Sequence, residues 1–177
     1  NEIKEPNLLS YLDLVALGTV CDVVELKQYN RLFVKKGLEL IHKRYHRGIA
    51  KLIDNSKIAS SPTSQDLGFV VGPQINAASR IDDSSLASKL LISNDIEQIE
   101  SISRKLFLLN EKRKLIESQI LDDAINQAAD QKNSNFILVF GNNWHQGVLG
   151  IIASKIKDIY YKPTIVISFL NNIGIGS

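Results

Sequence analysis

The feature that most constrains the fold is a long stretch without glycine or proline, which runs from Gln74 to Phe140. Within it, apolar side chains recur every three or four residues, which is the spacing of one helix face. These positions are Ile99, Ile102, Leu106, Leu109, Ile116 and Ile120, and Arg113 occupies one place in the same stripe. The pattern predicts a helix from about Ile96 to Ala129, about 50 Å long. Because a globular helix of that length usually connects two bodies, we expect two domains.

The segment after this helix predicts a βαβ unit. "NFILVFG", which ends at Gly141, is typical of a strand, "VLGIIASKIKDIYY" of a helix and "KPTIVISFL" of a second strand. Strand, helix and strand in that order favour a right-handed crossover onto a mostly parallel sheet. The predicted fold class is therefore α/β.

The segment before the long helix is predicted to be mostly helical. Asn30 to Asp54 has helical periodicity, and we expect two helices joined near Gly48. Ser60 to Gln65 is predicted to be a loop, and Gly72-Pro73 a turn. The apolar run from Leu12 to Val24 predicts a short helical or loop entry followed by a buried strand around Val15 to Val20.

Composition narrows the class of protein. The 21 basic and 19 acidic side chains among 177 residues give a formal charge of +2, so any nucleic-acid binding must come from local clusters. A single cysteine, Cys21, excludes an intramolecular disulfide framework and fits a reducing compartment. No apolar run is long enough to span a bilayer and no signal pattern opens the chain, so we expect a cytoplasmic protein with no membrane partner. The lack of any methionine and the ending "NNIGIGS" suggest a piece of a longer protein.

Asp22 is a candidate metal ligand. An acid at the carboxyl end of a buried strand lies where open α/β sheets bind ligands, and carboxylate oxygen suits magnesium or manganese. The alternative is that Asp22 caps the next segment or pairs with a basic side chain. One carboxylate does not build a metal site.

Arg80 is a candidate phosphate ligand in "GFVVGPQINAASRIDD". Its planar guanidinium suits a phosphate, and the small residues before it allow close packing. Asp82 and Asp83 are near enough in sequence to pair with it, so a surface ion pair or a helix cap is the competing explanation.

His145 is a third candidate, in "GNNWHQGVLGIIASK". Here a strand ends in a Gly/Asn loop that begins a helix, and a helix N-terminus favours an anion. His145 could donate a hydrogen bond to that anion or, if protonated, add a charge. Alternatively, Trp144 and His145 only cover the edge of the sheet. The spacing does not match a Walker loop or a dinucleotide fingerprint, so no nucleotide cofactor is predicted.

A basic cluster could also contact nucleic acid, although such a cluster is more often a solvated helix face. It comprises Lys35, Lys36, Lys43, Arg44, Arg47 and Lys51, with Glu39 as the only acid among Lys35 to Lys51. His42 and His46 are four residues apart and could bind zinc, but no third ligand is near in sequence.

Three of these stretches together resemble the RecJ family of single-strand-specific 5′-to-3′ DNA exonucleases, in the DHH phosphoesterase superfamily. They are "YLDLVALGTVCDVVELKQYNRLFVKKGL", "DLGFVVGPQINAASRIDD" and "WHQGVLGIIASKIKDIYYKPTIVIS". The long helix around "LNEKRKLIESQILDDA" matches the family's connecting helix. The resemblance implies the C-terminal part of a DHH domain at 1–95, a connecting helix at 96–131 and the first part of a DHHA1 α/β domain at 132–177.

The resemblance also implies roles for particular residues. Asp22 matches the aspartate of "GTVAD", a ligand of catalytic manganese or magnesium, of which two ions are expected in the complete enzyme. Arg80 matches the arginine of "GPRINAAGR" and His145 the histidine of "GWHPGVIGIVASR", both expected to hold DNA phosphates. Asn76, in the second motif, and Ser177, the first serine of "GSGRS", complete the implied substrate-binding set.

The chain departs from the family pattern at three positions: Gln74 replaces an arginine, Ser79 a glycine and Cys21 an alanine. The lost charge at Gln74 is expected to weaken phosphate attraction. No Asp-His-His sequence occurs in the 177 residues, and the arginine expected after "GS" is absent. With one candidate ligand, we expect this chain alone to be inactive.

The implied function is metal-dependent hydrolysis of single-stranded DNA from its 5′ end, in repair and recombination. Single-stranded DNA is the expected partner, with a single-strand-binding protein and a RecQ-type helicase as further candidates. Two alternatives are a DHH phosphodiesterase acting on oligonucleotides or cyclic dinucleotides, and an inactive scaffold that binds nucleic acid.

Overall fold

The computed structural model describes residues 6–58 and 61–177. Its elements, after a 3-10 turn at Leu8–Tyr11, are α1 (Leu12–Cys21), α2 (Gln28–His42), α3 (Arg47–Asn55), α4 (Ser64–Asp66), a π-helical turn (Leu67–Val71), α5 (Gly72–Ile81), α6 (Ser85–Ile92), α7 (Ile96–Ala129), β1 (Ile137–Asn142), a 3-10 turn (Gln146–Val148), α8 (Leu149–Tyr160), β2 (Thr164–Leu170) and β3 (Ile173–Gly176). Mostly helical with one small mixed sheet, the chain has the expected α/β class.

The chain divides into two compact units. Unit 1 comprises the described residues of Asn1–Ala78 and of Asp83–Leu109, and unit 2 comprises Ser79–Asp82 and Asn110–Ser177. The division falls inside α7, whereas the sequence places boundaries at the two ends of that helix. The assignment of DHH and DHHA1 domains to 1–95 and 132–177 stays a prediction.

The predicted long helix is confirmed with the same bounds, Ile96–Ala129. Its first half contributes Ile99, Ile102 and Leu106 to the core of unit 1. Its second half contributes apolar residues to a separate core in unit 2, namely Ile120, Ala124 and Ala128.

Arg113 is tolerated in the apolar stripe of α7 because it has a partner of opposite charge. Its guanidinium donates to the carboxylate of Glu117, one turn later, and to the amide oxygen of Asn110 at 3.2 Å. Glu117, whose side chain is only 8% exposed, also pairs with Lys155 of α8 at 2.6 Å. Charges that are paired and hydrogen-bonded in this way avoid most of the cost of burial.

The predicted strand at Val15 to Val20 is wrong, because this segment is part of α1. Its buried residues, Asp13, Ala16 and Leu17, follow helical spacing. This helical period is not visible in the sequence, because nearly every position in the run is apolar. Such a run does not distinguish a buried helix from a buried strand. Helices α1 and α2 pack closely at Gly37, where a side chain would collide with the Leu12 carbonyl and Ala16.

The predicted turn at Gly72-Pro73 is also wrong, because both residues belong to the first turn of α5. Helix continues without a break from Ser64, and proline is tolerated at this point because the hydrogen-bond pattern is already altered, with the Gly72 N–H bonded to the Leu67 carbonyl five residues earlier. The π-helical turn Leu67–Val71 leads directly into α5.

Of the predicted loop at Ser60 to Gln65, Ser60 lies outside the described residues, and Ser64 and Gln65 are helical after a Thr63–Asp66 capping box. The two predicted helices are present, with their junction at 43–46, just before Gly48.

The βαβ prediction is confirmed in unit 2, where β1 pairs with β2 in parallel, Ile137 opposite Thr164. The sequence analysis missed β3, which pairs antiparallel with β2. Asn171 and Asn172 both have positive φ, 49° and 63°, as a two-residue hairpin turn of type I′ requires. The Asn-Asn pair between apolar runs was a usable signal for that hairpin.

The outer edge of β1 is covered by Gln127 of α7 and by Gln131, in the turn just after that helix. The Gln131 amide donates to the Leu138 carbonyl at 2.8 Å and accepts from the Leu138 N–H at 3.0 Å. Gln127 makes the same pair of bonds to Phe140, at 2.9 and 3.0 Å. These side chains replace a neighbouring strand, so the end of α7 and the turn after it protect an edge that would otherwise be open to pairing. Among the helices of the described residues, none has the length and apolarity that crossing a bilayer requires.

Candidate phosphate-binding site

The candidate site lies in unit 2, where β1 leads into α8. This is the carboxyl end of a strand in a parallel pair, the usual position of ligands in α/β sheets. Asn143 continues the chain with φ 58° and donates its N–H to the Phe169 carbonyl at 2.9 Å. The 3-10 turn Gln146–Val148 then runs directly into α8.

Gly147 brings His145 and Arg80 together. The Gly147 N–H donates to Nδ1 of His145 at 3.1 Å, and the Gly147 carbonyl accepts from Nη1 of Arg80 at 3.1 Å. His145 is half-buried and Arg80 is exposed. A side chain at Gly147 would collide with the Arg80 carbonyl, so only glycine allows this approach. The structure thus places two of the predicted phosphate ligands on either side of one residue.

Ser177 joins the same end of α8. Its backbone extends the pairing with β2, since its N–H donates to the Val166 carbonyl at 3.0 Å and its carbonyl accepts from the Val166 N–H at 2.9 Å. A β-carbon built on Gly150, the second residue of α8, would be 3.2 Å from the Ser177 hydroxyl oxygen. The hydroxyl is therefore close to the positive end of the α8 dipole.

Three backbone N–H groups at this helix start already have partners. Besides the Gly147 bond to His145, the Val148 N–H donates to the His145 carbonyl at 3.1 Å, and the Leu149 N–H donates to the Gln146 carbonyl. The sequence suggested that such N–H groups would help bind an anion. In the structure, the side chains of Arg80, His145 and Ser177 lie near the same helix start, and their binding of a phosphate stays a prediction.

Trp144, Gly141 and Ser168 hold the loop before His145, and the sequence analysis did not identify Ser168. The Trp144 indole lies against Gly141, where any side chain would collide with it. The hydroxyl of Ser168, a residue only 4% exposed, donates to the Trp144 carbonyl at 2.7 Å. Ser168 is the register partner of Gly141 across β1 and β2. Sequence gave no signal for Ser168, because its role depends on that strand pairing.

Asp22, in unit 1, is exposed and follows a helix, so its predicted position at the end of a buried strand is wrong. It is the C-cap of α1, and the chain then turns through Val23 at φ 55°. The Val23 N–H donates to the Val20 carbonyl at 3.1 Å, and the Val24 N–H to the Thr19 carbonyl at 3.0 Å. This is a Schellman motif with a β-branched residue where glycine is usual. Left-handed backbone at such a residue is strained, and strain of this kind concentrates at functional sites.

Cys21, beside Asp22, is a packing residue. Its sulfur contacts Leu67 O at 3.8 Å, and a β-carbon on Gly72 would be 2.7 Å from the sulfur. Burial raises the pKa of the Cys21 thiol, and the neighbouring Asp22 carboxylate raises it further. A raised pKa keeps the thiol protonated and unreactive at neutral pH.

Asn76 is exposed on α5, in unit 1. Gln74, by contrast, is 2% exposed, and its amide nitrogen donates to Ser56 Oγ at 2.7 Å and to the Val70 carbonyl at 3.0 Å. The expected effect of Gln74 on phosphate attraction is therefore wrong, because the side chain lies inside unit 1. Asp83, which precedes the N-cap of α6, accepts from the Ser85 N–H at 2.8 Å, and bonds from Ser85 lower the pKa of Asp83.

Most side chains of the basic cluster form ion pairs or hydrogen bonds with other residues of this chain. Three of its cations pair with carboxylates, Lys36 with Glu39 at 3.0 Å, Arg44 with Asp54 at 2.5 Å and Lys51 with Glu100 at 3.0 Å. Arg47 donates to the Asn94 carbonyl at 3.2 Å. These contacts favour the solvated-face interpretation of the cluster.

The two histidines near this cluster have partners other than a metal. His46 is the N-cap of α3 and pairs with the buried Asp13, while His42 contacts Ser61 Oγ at 3.2 Å. Within residues 6–58 and 61–177, no group of three or more His, Cys, Asp or Glu side chains could hold a metal ion. The described side chains therefore do not by themselves fit a zinc ion or a pair of catalytic ions.

Curated proteins similar to this chain share one name. This chain is 41% identical over 170 residues to the single-stranded-DNA-specific exonuclease RecJ of Dickeya dadantii, and the match covers 92% of this chain and 30% of the relative. The RecJ of Haemophilus influenzae is 42% identical over 168 residues, covering 91% and 29%. The chain thus spans less than a third of the length of these relatives. No protein-family model matches it.

Solved structures agree with the sequence comparison. The crystal structure of RecJ from Thermus thermophilus in complex with Mn²⁺ has a TM-score of 0.85 and 31% identity, covering 92% of this chain and 24% of that one. A second crystal structure of that RecJ, in complex with Mg²⁺, has the same TM-score and identity. In both sequence and fold, this chain is therefore homologous, over about nine-tenths of its residues, to a segment of the RecJ exonucleases.

Proposed function

We propose that this chain supplies the phosphate-binding part of a single-stranded-DNA-specific exonuclease. The observation that carries the proposal is the arrangement around Gly147, which joins Arg80 and His145 at the start of α8. Both residues occupy positions of the RecJ-like motifs, and both belong to unit 2. A DNA backbone phosphate is the anion that fits a guanidinium, an imidazole and a hydroxyl at a helix N-terminus.

Arg80 provides the fixed positive charge of the site. One of its N–H groups is held by the Gly147 carbonyl, which fixes the plane of the guanidinium. Guanidinium presents several donors in one plane, so holding one of them orients the others. Asn76, an exposed side chain of unit 1, is proposed separately as a substrate-binding residue.

Asp22 is proposed to supply one carboxylate to a divalent metal ion, Mn²⁺ or Mg²⁺. The exposed carboxylate follows the C-terminus of α1, whose negative dipole end favours a cation. One carboxylate does not bind two ions, so the proposal requires ligands that the described residues do not provide. When bound, such ions lower the pKa of water and so supply a nucleophile for phosphodiester hydrolysis. For the same reason, we propose that the 177-residue chain alone is inactive.

The substrate follows from the relatives, whose names specify single-stranded DNA. A single-strand-binding protein and a RecQ-type helicase remain proposed partners of the whole enzyme. No observation favours a cyclic-dinucleotide phosphodiesterase or an inactive scaffold, and the relatives that match all carry the exonuclease name.

The test is DNA binding by the complete gene product without metal, so that no cleavage occurs. A fluorescent single-stranded oligonucleotide is titrated by anisotropy across a KCl series, comparing wild type with R80A. We expect about tenfold weaker binding, and a salt slope smaller by about 0.7 because one phosphate contact is lost. The matched control is R47A, since Arg47 is also exposed and also donates to a distant backbone carbonyl. If R80A and R47A behave alike, the phosphate-binding proposal is wrong.

A further inference from the structure

We infer that His145 meets the phosphate as a neutral imidazole that donates from Nε2, and that Gly147 is the positioning residue that sets this tautomer. The inference rests on the proposed function, because it specifies how the same site works. It chooses between the two roles that the sequence left open for His145, a hydrogen-bond donor or a positive charge.

The tautomer follows from one hydrogen bond. The Gly147 N–H points at Nδ1 of His145, with a nitrogen-to-nitrogen distance of 3.1 Å. A ring nitrogen that accepts a hydrogen bond carries no proton, and in neutral imidazole the other nitrogen then carries it. If Nδ1 carried a proton, its N–H would face the Gly147 N–H, and two donors would stand opposite each other without an acceptor. The bond therefore favours the neutral ring with its donor at Nε2.

The same residue also fixes Arg80. Its carbonyl accepts from the guanidinium at 3.1 Å, and its α-carbon lies so close to the Arg80 carbonyl that no side chain fits between them. Gly147 thus determines the orientation of both side chains. The two have different tasks, because Arg80 provides charge and His145 provides a directed donor.

Two substitutions of His145 separate donor from charge. A glutamine side chain places its amide nitrogen near the position of Nε2, whereas asparagine reaches only as far as Nδ1. In the complete gene product, we expect H145Q to bind a single-stranded oligonucleotide within about threefold of wild type. H145N and H145A should each bind about tenfold more weakly, since a hydrogen bond to a charged phosphate is lost. Binding by H145Q as weak as that by H145A would overturn the inference.

A spectroscopic measurement covers the case in which glutamine packs poorly. Nitrogen-15 NMR of the histidine side chains at pH 8, with His145 assigned through H145Q, reports which ring nitrogen is protonated. We expect a proton on Nε2 and none on Nδ1. A proton on Nδ1 would overturn the assignment whatever the binding data show.

The role of Gly147 is tested by G147A. Because G147A disturbs both side chains, it should weaken oligonucleotide binding at least tenfold relative to wild type. Added to the R80A/H145A double variant, it should weaken binding by less than about twofold, because both side chains are already absent. The matched control is G18A, since nothing lies within 4 Å of a β-carbon at Gly18. An equal loss from G147A in both backgrounds would mean that Gly147 acts only on stability. If neither R80A nor H145A weakens binding, the proposed function fails instead.

Discussion

Two helix ends in this molecule carry opposite chemistry. Helix α1 finishes with the exposed carboxylate of Asp22, and helix α8 begins beside Arg80, His145 and Ser177. A helix dipole is negative at its C-terminus and positive at its N-terminus, so the first end favours a cation and the second an anion. Each helix end therefore adds to the field that its proposed ligand needs.

The two ends differ in how they are built. The start of α8 is held by hydrogen bonds through Gly147 and by Ser168, which anchors the Trp144 carbonyl. The end of α1 combines two unfavourable features, an acid at a negative helix end and a valine with left-handed backbone. Such features reduce stability, and they are expected where function needs a charge that folding alone would not select.

The largest expected effect is on catalysis, from D22N in the complete gene product. Removing a ligand charge from a metal site should lower the rate of single-stranded DNA cleavage by about 10³-fold, on the order of 4 kcal/mol. The rate is measured in Mn²⁺ or Mg²⁺, with circular dichroism to check folding. The control E25Q removes a nearby surface acid, paired with Lys27 at 2.5 Å, and should retain activity. A D22N enzyme as active as E25Q would contradict the metal role.

A smaller effect is expected at the other helix end, from S177A. The Ser177 hydroxyl provides one neutral hydrogen bond, so its loss should weaken oligonucleotide binding by about threefold to tenfold. The salt slope should not change, because no charge is removed. S88A, which removes an exposed hydroxyl on α6, is the comparison. A changed salt slope in S177A would show that the site rearranges.

The thiol beside Asp22 gives a pH-dependent prediction. Because the pKa of Cys21 is raised in the folded state, the folded thiol holds its proton at pH values where the unfolded thiol loses it. Its contribution to stability is therefore complete below the ordinary value of 9.0 and declines as pH rises above it. Denaturant unfolding from pH 7 to 10.5 should show a smaller alkaline loss in C21A than in wild type. The D22N variant should lower the Cys21 pKa only partly, because burial is the larger cause; a full return to the ordinary value would contradict that order.

The smallest expected effect is on stability, from V23G. Glycine removes the left-handed strain of about 1–2 kcal/mol, offset by about 0.5–1 kcal/mol of chain entropy, so the free energy of unfolding should rise by up to about 1 kcal/mol. Val23 is 88% exposed, so little packing is lost. The control V24G should lower the free energy of unfolding, because Val24 does not have a positive φ and glycine relieves no strain there. Equal destabilisation by both would show that Val23 is not strained.

The sequence predicted well those elements whose side chains repeat with a clear period or whose order is diagnostic. The seam of α7 and the β1–α8–β2 order belong to this group. It failed at α1, where an unbroken apolar run carries no period, and at Pro73, which lies within a continuous helical run just after a π-helical turn. Gln74 was misjudged because its motif position says nothing about the direction of its side chain, which faces Ser56.

The sequence by itself determined the long helix, the βαβ order and the residue types suited to phosphate and metal, because these depend on local spacing and composition. Only the tertiary structure decided that Gly147 joins Arg80 to His145, since those two residues are far apart in the chain and meet only through folding. It also decided that Asp22 is at a helix end rather than a strand end. Hydrogen bonds across long sequence separations leave no periodic trace, so composition and spacing do not reveal them.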